Sequence, residues 1–130
     1  MCRIRKPCRN ITSFTGYKLV FKIDNKYYSA FTGIEYKENT KIVPVDEMQK
    51  HADYQMWSTI HRNEKMIGKT TVFENLEDAK EIKNVWHKTF PDKEVVILEM
   101  TLSGNLHHAI FSERDTIIGE YVETFNQLSE

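Results

Sequence analysis

Thr70-Thr71-Val72-Phe73-Glu74-Asn75-Leu76-Glu77-Asp78-Ala79-Lys80-Glu81-Ile82 is the stretch that decides the fold class. It reads as an extended segment ending at Phe73, a cap at Asn75 and the first turns of an amphipathic helix. The Asn75 side chain offers an acceptor to the free amides of the first turn, and Glu77 and Asp78 stand where the helix dipole favours anions. Leu76, Ala79, Ile82, Trp86 and Phe90 follow at spacings of three and four, which places them on one face. Pro91-Asp92 stops the helix.

On either side the periodicity is that of strands. Tyr17, Leu19, Phe21 and Ile23 alternate with Lys18, Val20 and Lys22, the pattern of a half-buried strand with a mostly polar outer face. Asp24-Asn25 supplies residue types that tolerate positive φ in a tight hairpin. A second strand over Lys26 to Phe31 follows, and Ile34 to Lys37 extends the meander. Beyond the helix, Val95-Val96-Ile97-Leu98 is a continuous apolar run of the kind covered on both faces, and it continues through Met100 and Leu102. Ser103-Gly104-Asn105 turns the chain, and Leu106 to Phe111 and Thr116 to Phe125 read as two more strands. The expected fold is α+β: a mainly antiparallel sheet of about six strands, one principal amphipathic helix and a partly helical insertion.

The 130 residues suffice for one domain with its own core. Residues 1–14 form a basic N-terminal arm with Arg3, Arg5, Lys6 and Arg9, and such arms are commonly mobile and solvated. Residues 38–69 form an insertion, where Pro44 argues against a central strand and Val45, Met48, Ala52 and Met56 suit a short helical face. A net charge of −1 gives no global electrostatic case for DNA or an anionic membrane. No apolar run is long enough to span a bilayer and no signal peptide opens the chain, so a cytoplasmic setting is expected. Cys2 and Cys8 fall short of a zinc site and are expected as reduced thiols.

The search for chemistry is mostly negative, and no cofactor, metal or catalytic residue is expected. The five glycines stand alone and begin no nucleotide fingerprint. His107 and His108 are adjacent, so in a strand they point to opposite faces; one of them can face a pocket. Glu99 falls inside the apolar strand, where it lies at an edge, pairs with a base such as Arg114, or faces a polar site; the sequence leaves all three open. Ser112-Glu113-Arg114-Asp115-Thr116 concentrates polar groups between two strands. Arg114 offers the planar, bidentate donor set that suits phosphate, although a surface turn with an Arg–Asp pair explains it equally. Phe73, Tyr36, Trp57 and Tyr121 could stack on a base or simply fill the core.

Four segments, Tyr17-Lys18-Leu19-Val20, Lys26-Tyr27-Tyr28-Ser29-Ala30-Phe31, Val72 to Ala79 and Val96-Ile97-Leu98-Glu99-Met100, occur in an order that resembles small phage and prophage proteins. In particular, they resemble the first type of Thoeris anti-defence protein. That resemblance implies a non-enzymatic sponge that binds cyclic ADP-ribose isomers, or in some members cyclic oligonucleotides, and holds them uncleaved. It also implies a homo-oligomer, a dimer or higher, working in the host bacterial cytoplasm. By residue type it assigns stacking to Phe73 and phosphate contact to Arg114; His107, Asn105 and Thr116 from the adjoining turns complete the expected ligand-binding set. Two other classes stay open: a protein-binding inhibitor or accessory module docking through residues 38–69, and a small nucleotide-processing enzyme using Glu99 or a histidine.

Overall fold

In a computed structural model, residues 2–61 and 66–129 are described. The described residues build nine strands and two helices: β1 (Cys2–Pro7), β2 (Ser13–Ile23), β3 (Lys26–Tyr28), β4 (Thr40–Lys41), α1 (Tyr54–His61), β5 (Thr70–Phe73), α2 (Leu76–Thr89), β6 (Val95–Ser103), β7 (His107–Phe111), β8 (Arg114–Gly119) and β9 (Tyr121–Gln127). The α+β class and the antiparallel pairing agree with expectation, but the sheet has nine strands rather than six. Its order is β1-β7-β8-β5-β2-β6-β9-β4, with β3 paired to β2.

The extra strands have physical causes. The basic arm is not free: Cys2–Pro7 adds to β7 as an edge strand, and its charges and Pro7 protect that edge from further pairing. The long strand expected from Thr116 to Phe125 divides at Glu120, whose N–H is held by the Ser103 and Gly104 carbonyls. There the chain leaves one half of the sheet and enters the other, because β8 pairs with β5 and β7 whereas β9 pairs with β6 and β4. Ile34 to Lys37 contributes only a bridge, Tyr28 to Glu35, and the second strand of the first hairpin ends at Tyr28.

The sheet curls so that its halves share one core. Val72 and Ile117 from β5 and β8 pack with Val20, Leu98, Met100, Leu102 and Val122 from β2, β6 and β9. On the other face α2 lays Ala79, Ile82 and Trp86, with Phe90 just beyond, against Leu19, Phe21, Val95 and Ile97. The helix begins as its sequence requires: the Asn75 Oδ1 accepts the Glu77 N–H at 2.8 Å. β2 is therefore buried on both faces, and its expected polar outer face is an interior one, with Val20 at 0% exposure and Lys18 at 5%. The hairpin at Asp24-Asn25 has both residues at positive φ, 51° and 63°, as that loop type demands. No helix among the described residues is long and apolar enough to cross a membrane.

Candidate functional site

β2 and β5 are neighbours in the sheet yet share a single residue pair, Tyr17 with Phe73. Gly16 permits that one close approach: a Cβ there would lie 2.6 Å from the Phe73 carbonyl oxygen and from Val72 Cγ2. Past this point the strands separate, and a cleft opens between them. Residues of the 38–69 insertion help line it, Val43, Val45, Trp57 and Ile67 among them.

Lys18 is the central group of the cleft. Its Nζ donates to Thr71 Oγ1 at 3.3 Å and lies 5.2 Å from the centroid of the Phe31 ring. Among the described residues no carboxylate pairs with it, and none lines the cleft. Hydroxyls line the same space. Tyr36 and Thr70, both buried, share a hydrogen bond of 2.9 Å. Ser29 Oγ accepts the N–H groups of Phe31 and Thr32 at 3.1 and 3.2 Å, a local turn that fixes the loop after β3. The cleft measures about 630 Å³ out to its mouth, but the room for water-sized groups clear of its walls is about 40 Å³. That inner space suits a few waters or one compact head group, not a nucleoside.

The residues singled out from sequence lie elsewhere. Arg114 is engaged by α2: its Nη2 bonds Glu81 Oε2 at 2.7 Å, its Nε lies 3.9 Å from Asp78 Oδ1, and its Nη1 donates to the Ser112 carbonyl. A phosphate at this position would compete with two carboxylates. Phe73 is buried beneath α2, edge-on to Phe111 at 6.1 Å. Asn105 occupies a left-handed turn position at φ 51°, and its carbonyl lies 2.8 Å from His107 Nδ1. Thr116 is buried at 1% exposure with its Oγ1 unpartnered, and it sits between Phe73 and Ala109 across the sheet. Arg114 and Thr116 share one face of β8 with Phe73 alongside, while His107 and Asn105 belong to the far end of β7; the five do not converge on one cavity. Glu99, partly exposed on β6, is flanked by Tyr17 and Asn126 and forms no pair with Arg114.

Lys18, Ser29 and Thr71 escape a sequence reading because lysine on an alternating strand is ordinarily the solvent face. The available signal was Val20, an apolar residue placed between Lys18 and Lys22 on the supposedly polar side.

A second polar group lies on the open surface beside the N-terminal strand, where Arg5, Lys6, Glu74, His108 and Asp115 meet. Although Glu74 is an exposed residue, partial desolvation of its carboxyl and then the nearby Asp115 charge push it above its ordinary range, and His108 pulls it partly back. Burial, with Glu74 adding to it, likewise raises the Cys8 thiol, which is free. His108 faces this group while His107 does not, as adjacent strand positions require. No cluster of three or more His, Cys, Asp or Glu among the described residues is arranged to hold a metal ion. Comparison of the chain with protein-family models, with curated proteins and with solved structures finds no match.

Proposed function

We propose that this protein is a non-catalytic binder that captures an anionic small molecule in the Lys18 cleft, acting as a sponge for a cyclic ADP-ribose-type immune signal and so suppressing bacterial anti-phage defence. One observation carries the binding part of the reading: a buried lysine shares a cleft with hydroxyls, and no carboxylate lines that cleft among the described residues. An uncompensated buried ammonium is costly, so the site is worth keeping when an anion completes it. Sequestration needs affinity and slow release, which donors and an apolar lining supply without a base or nucleophile. The nucleotide identity of the ligand and a homo-oligomeric assembly rest on the resemblance to Thoeris anti-defence proteins. A whole cyclic nucleotide enters this cleft only if lining residues such as Val43 and Trp57 move outward, with the head group at Lys18 and the remainder toward the mouth.

The test is mass spectrometry of small molecules released by heat after the protein has been exposed to TIR-generated signals. An intact cyclic nucleotide is the expected product. A cleaved product would instead make the protein an enzyme, and an empty protein would remove the sponge. Light scattering checks the assembly; a monomer at every concentration overturns it.

A second reading has its own observation. Val43 is 63% exposed, Tyr54 70%, Met48 40% and Ile67 36%, and all belong to the 38–69 insertion. Large apolar residues concentrated on one segment suit a protein partner. Docking through this insertion predicts that Tyr54→Ser, at a residue outside the cleft lining, abolishes defence suppression while leaving small-molecule capture intact.

A further inference from the structure

We infer that the inner end of the cleft selects an oxyanion head, a phosphate or a carboxylate, carried on a flat or apolar body. This deepens the proposed function and rests on its premise that the cleft binds an anionic ligand.

Lysine has three N–H donors and no acceptor, and Lys18 uses one of them, on Thr71 at 3.3 Å. A hydroxyl has one proton and two lone pairs. Both lone pairs of Ser29 are taken by backbone N–H groups, so its remaining capacity is to donate. Thr71 Oγ1 accepts from Lys18 and keeps its proton. Tyr36 and Thr70 hold two protons between them and use one on each other, leaving one to give. Over Lys18, Ser29, Thr71, Tyr36 and Thr70 about five protons remain to give against about four free lone pairs. The Lys18 charge has no carboxylate partner among the described residues, so an acceptor-rich anion completes the set. A neutral hydroxyl or amine offers at most two lone pairs and no charge; an oxyanion offers more lone pairs and charge-assisted bonds from Lys18. The roughly 40 Å³ of room clear of the walls limits what the cleft takes without movement to a compact head group. The walls beyond it, with Phe31, Trp57, Ile42 and Met66, suit an aromatic or aliphatic body.

Nitrogen-15 NMR titration with phenyl phosphate, benzoate and benzyl alcohol tests this on the full chain. Phenyl phosphate or benzoate is expected to shift β2 and β5 amides at about millimolar strength, which is what so few atoms supply. Whichever of the two binds more tightly identifies the head as phosphate or carboxylate. Lys18→Met should weaken that binding about tenfold or more, and Thr71→Val less, in proteins whose circular dichroism matches the parent. Benzyl alcohol binding as tightly as either anion, no binding by either anion, or an unchanged affinity in folded Lys18→Met would each overturn the inference. Cyclic ADP-ribose captured equally by wild type and Lys18→Met would sink the oxyanion site while leaving the sponge. Phenyl phosphate held at Lys18 by a protein that ignores cyclic ADP-ribose would do the reverse.

Discussion

Lys18 sits where a methionine would serve stability better. Its stem packs inside the curled sheet, but its ammonium has one long hydrogen bond and one aromatic face to offset lost hydration. Replacing a partly satisfied buried polar group by an apolar one of similar length is neutral or favourable. Lys18→Met is therefore expected to raise the ligand-free unfolding free energy by about 1 kcal/mol in urea titration, the trade-off typical of a binding site. A loss of comparable size would mean that Lys18 is a structural strut. Glu74 gives a pH signature of opposite logic to a salt-bridged carboxylate. Its folded pKa is raised, so its stabilising contribution is full below the ordinary carboxylate pKa and is lost as pH rises through the raised folded value. Compared with Glu74→Gln, the wild-type urea midpoint should fall as pH climbs from about 4 toward neutrality. A difference that stays flat, or rises, contradicts the partial desolvation and Asp115 repulsion assigned to this carboxyl. Because Glu74 also raises Cys8, the same variant should react faster with a thiol reagent near neutral pH.

At the scale of elements, the β7–β8 hairpin closes on Ser112-Glu113, between Phe111 and Arg114, with φ of 49° and 64°. Two consecutive left-handed residues demand Asn-Gly chemistry, and serine and glutamate meet that demand poorly. The double substitution Ser112→Asn, Glu113→Gly should stabilise the protein by about 1 kcal/mol, read as a higher urea midpoint with unchanged slope. A drop would show that the Ser112 carbonyl, which holds Arg114, needs the present backbone. The contrast with α2 explains what the sequence made legible. Asn75, Glu77, Asp78 and the Leu76-to-Phe90 spacing are local signals, and the helix appears at Leu76–Thr89 with its predicted cap. The Asp24-Asn25 turn is equally local. The bend at Glu120 and the pairing of Cys2–Pro7 with β7 depend on partners distant in sequence, so no window of residues announces them. The cleft was illegible for the same reason: Lys18, Ser29 and Thr71 meet only because β2 and β5 touch once and then part. Arg114 read as a phosphate ligand because the sequence did not show Glu81 and Asp78 brought to it by α2.

For the molecule as a whole, the single Tyr17–Phe73 pair makes the β2–β5 seam the weak line of the sheet. On its other side β2 pairs with β6 continuously from Ser13 to Phe21, and β5 is held to β8 from Thr70 to Phe73. The halves are joined across the seam mainly by side-chain packing, so opening there breaks few backbone hydrogen bonds and lies at the low end of local stabilities. Hydrogen exchange should be faster for seam-facing amides of Lys18 to Val20 than for the amides of the same strand that bond to β6. A ligand whose head group sits on Lys18 and Thr71 bridges the two strands, so saturating phenyl phosphate should slow the seam amides selectively and leave β6–β9 unchanged. Gly16→Ala provides the opposite perturbation. A methyl group there meets backbone and Val72 at 2.6 Å, forces the strands apart at their only pair, and should cost about 2 kcal/mol while speeding exchange along the seam. Equal protection on both sides of β2, unaffected by ligand or by Gly16→Ala, would mean that the sheet behaves as one continuous unit and that the cleft does not open along this line.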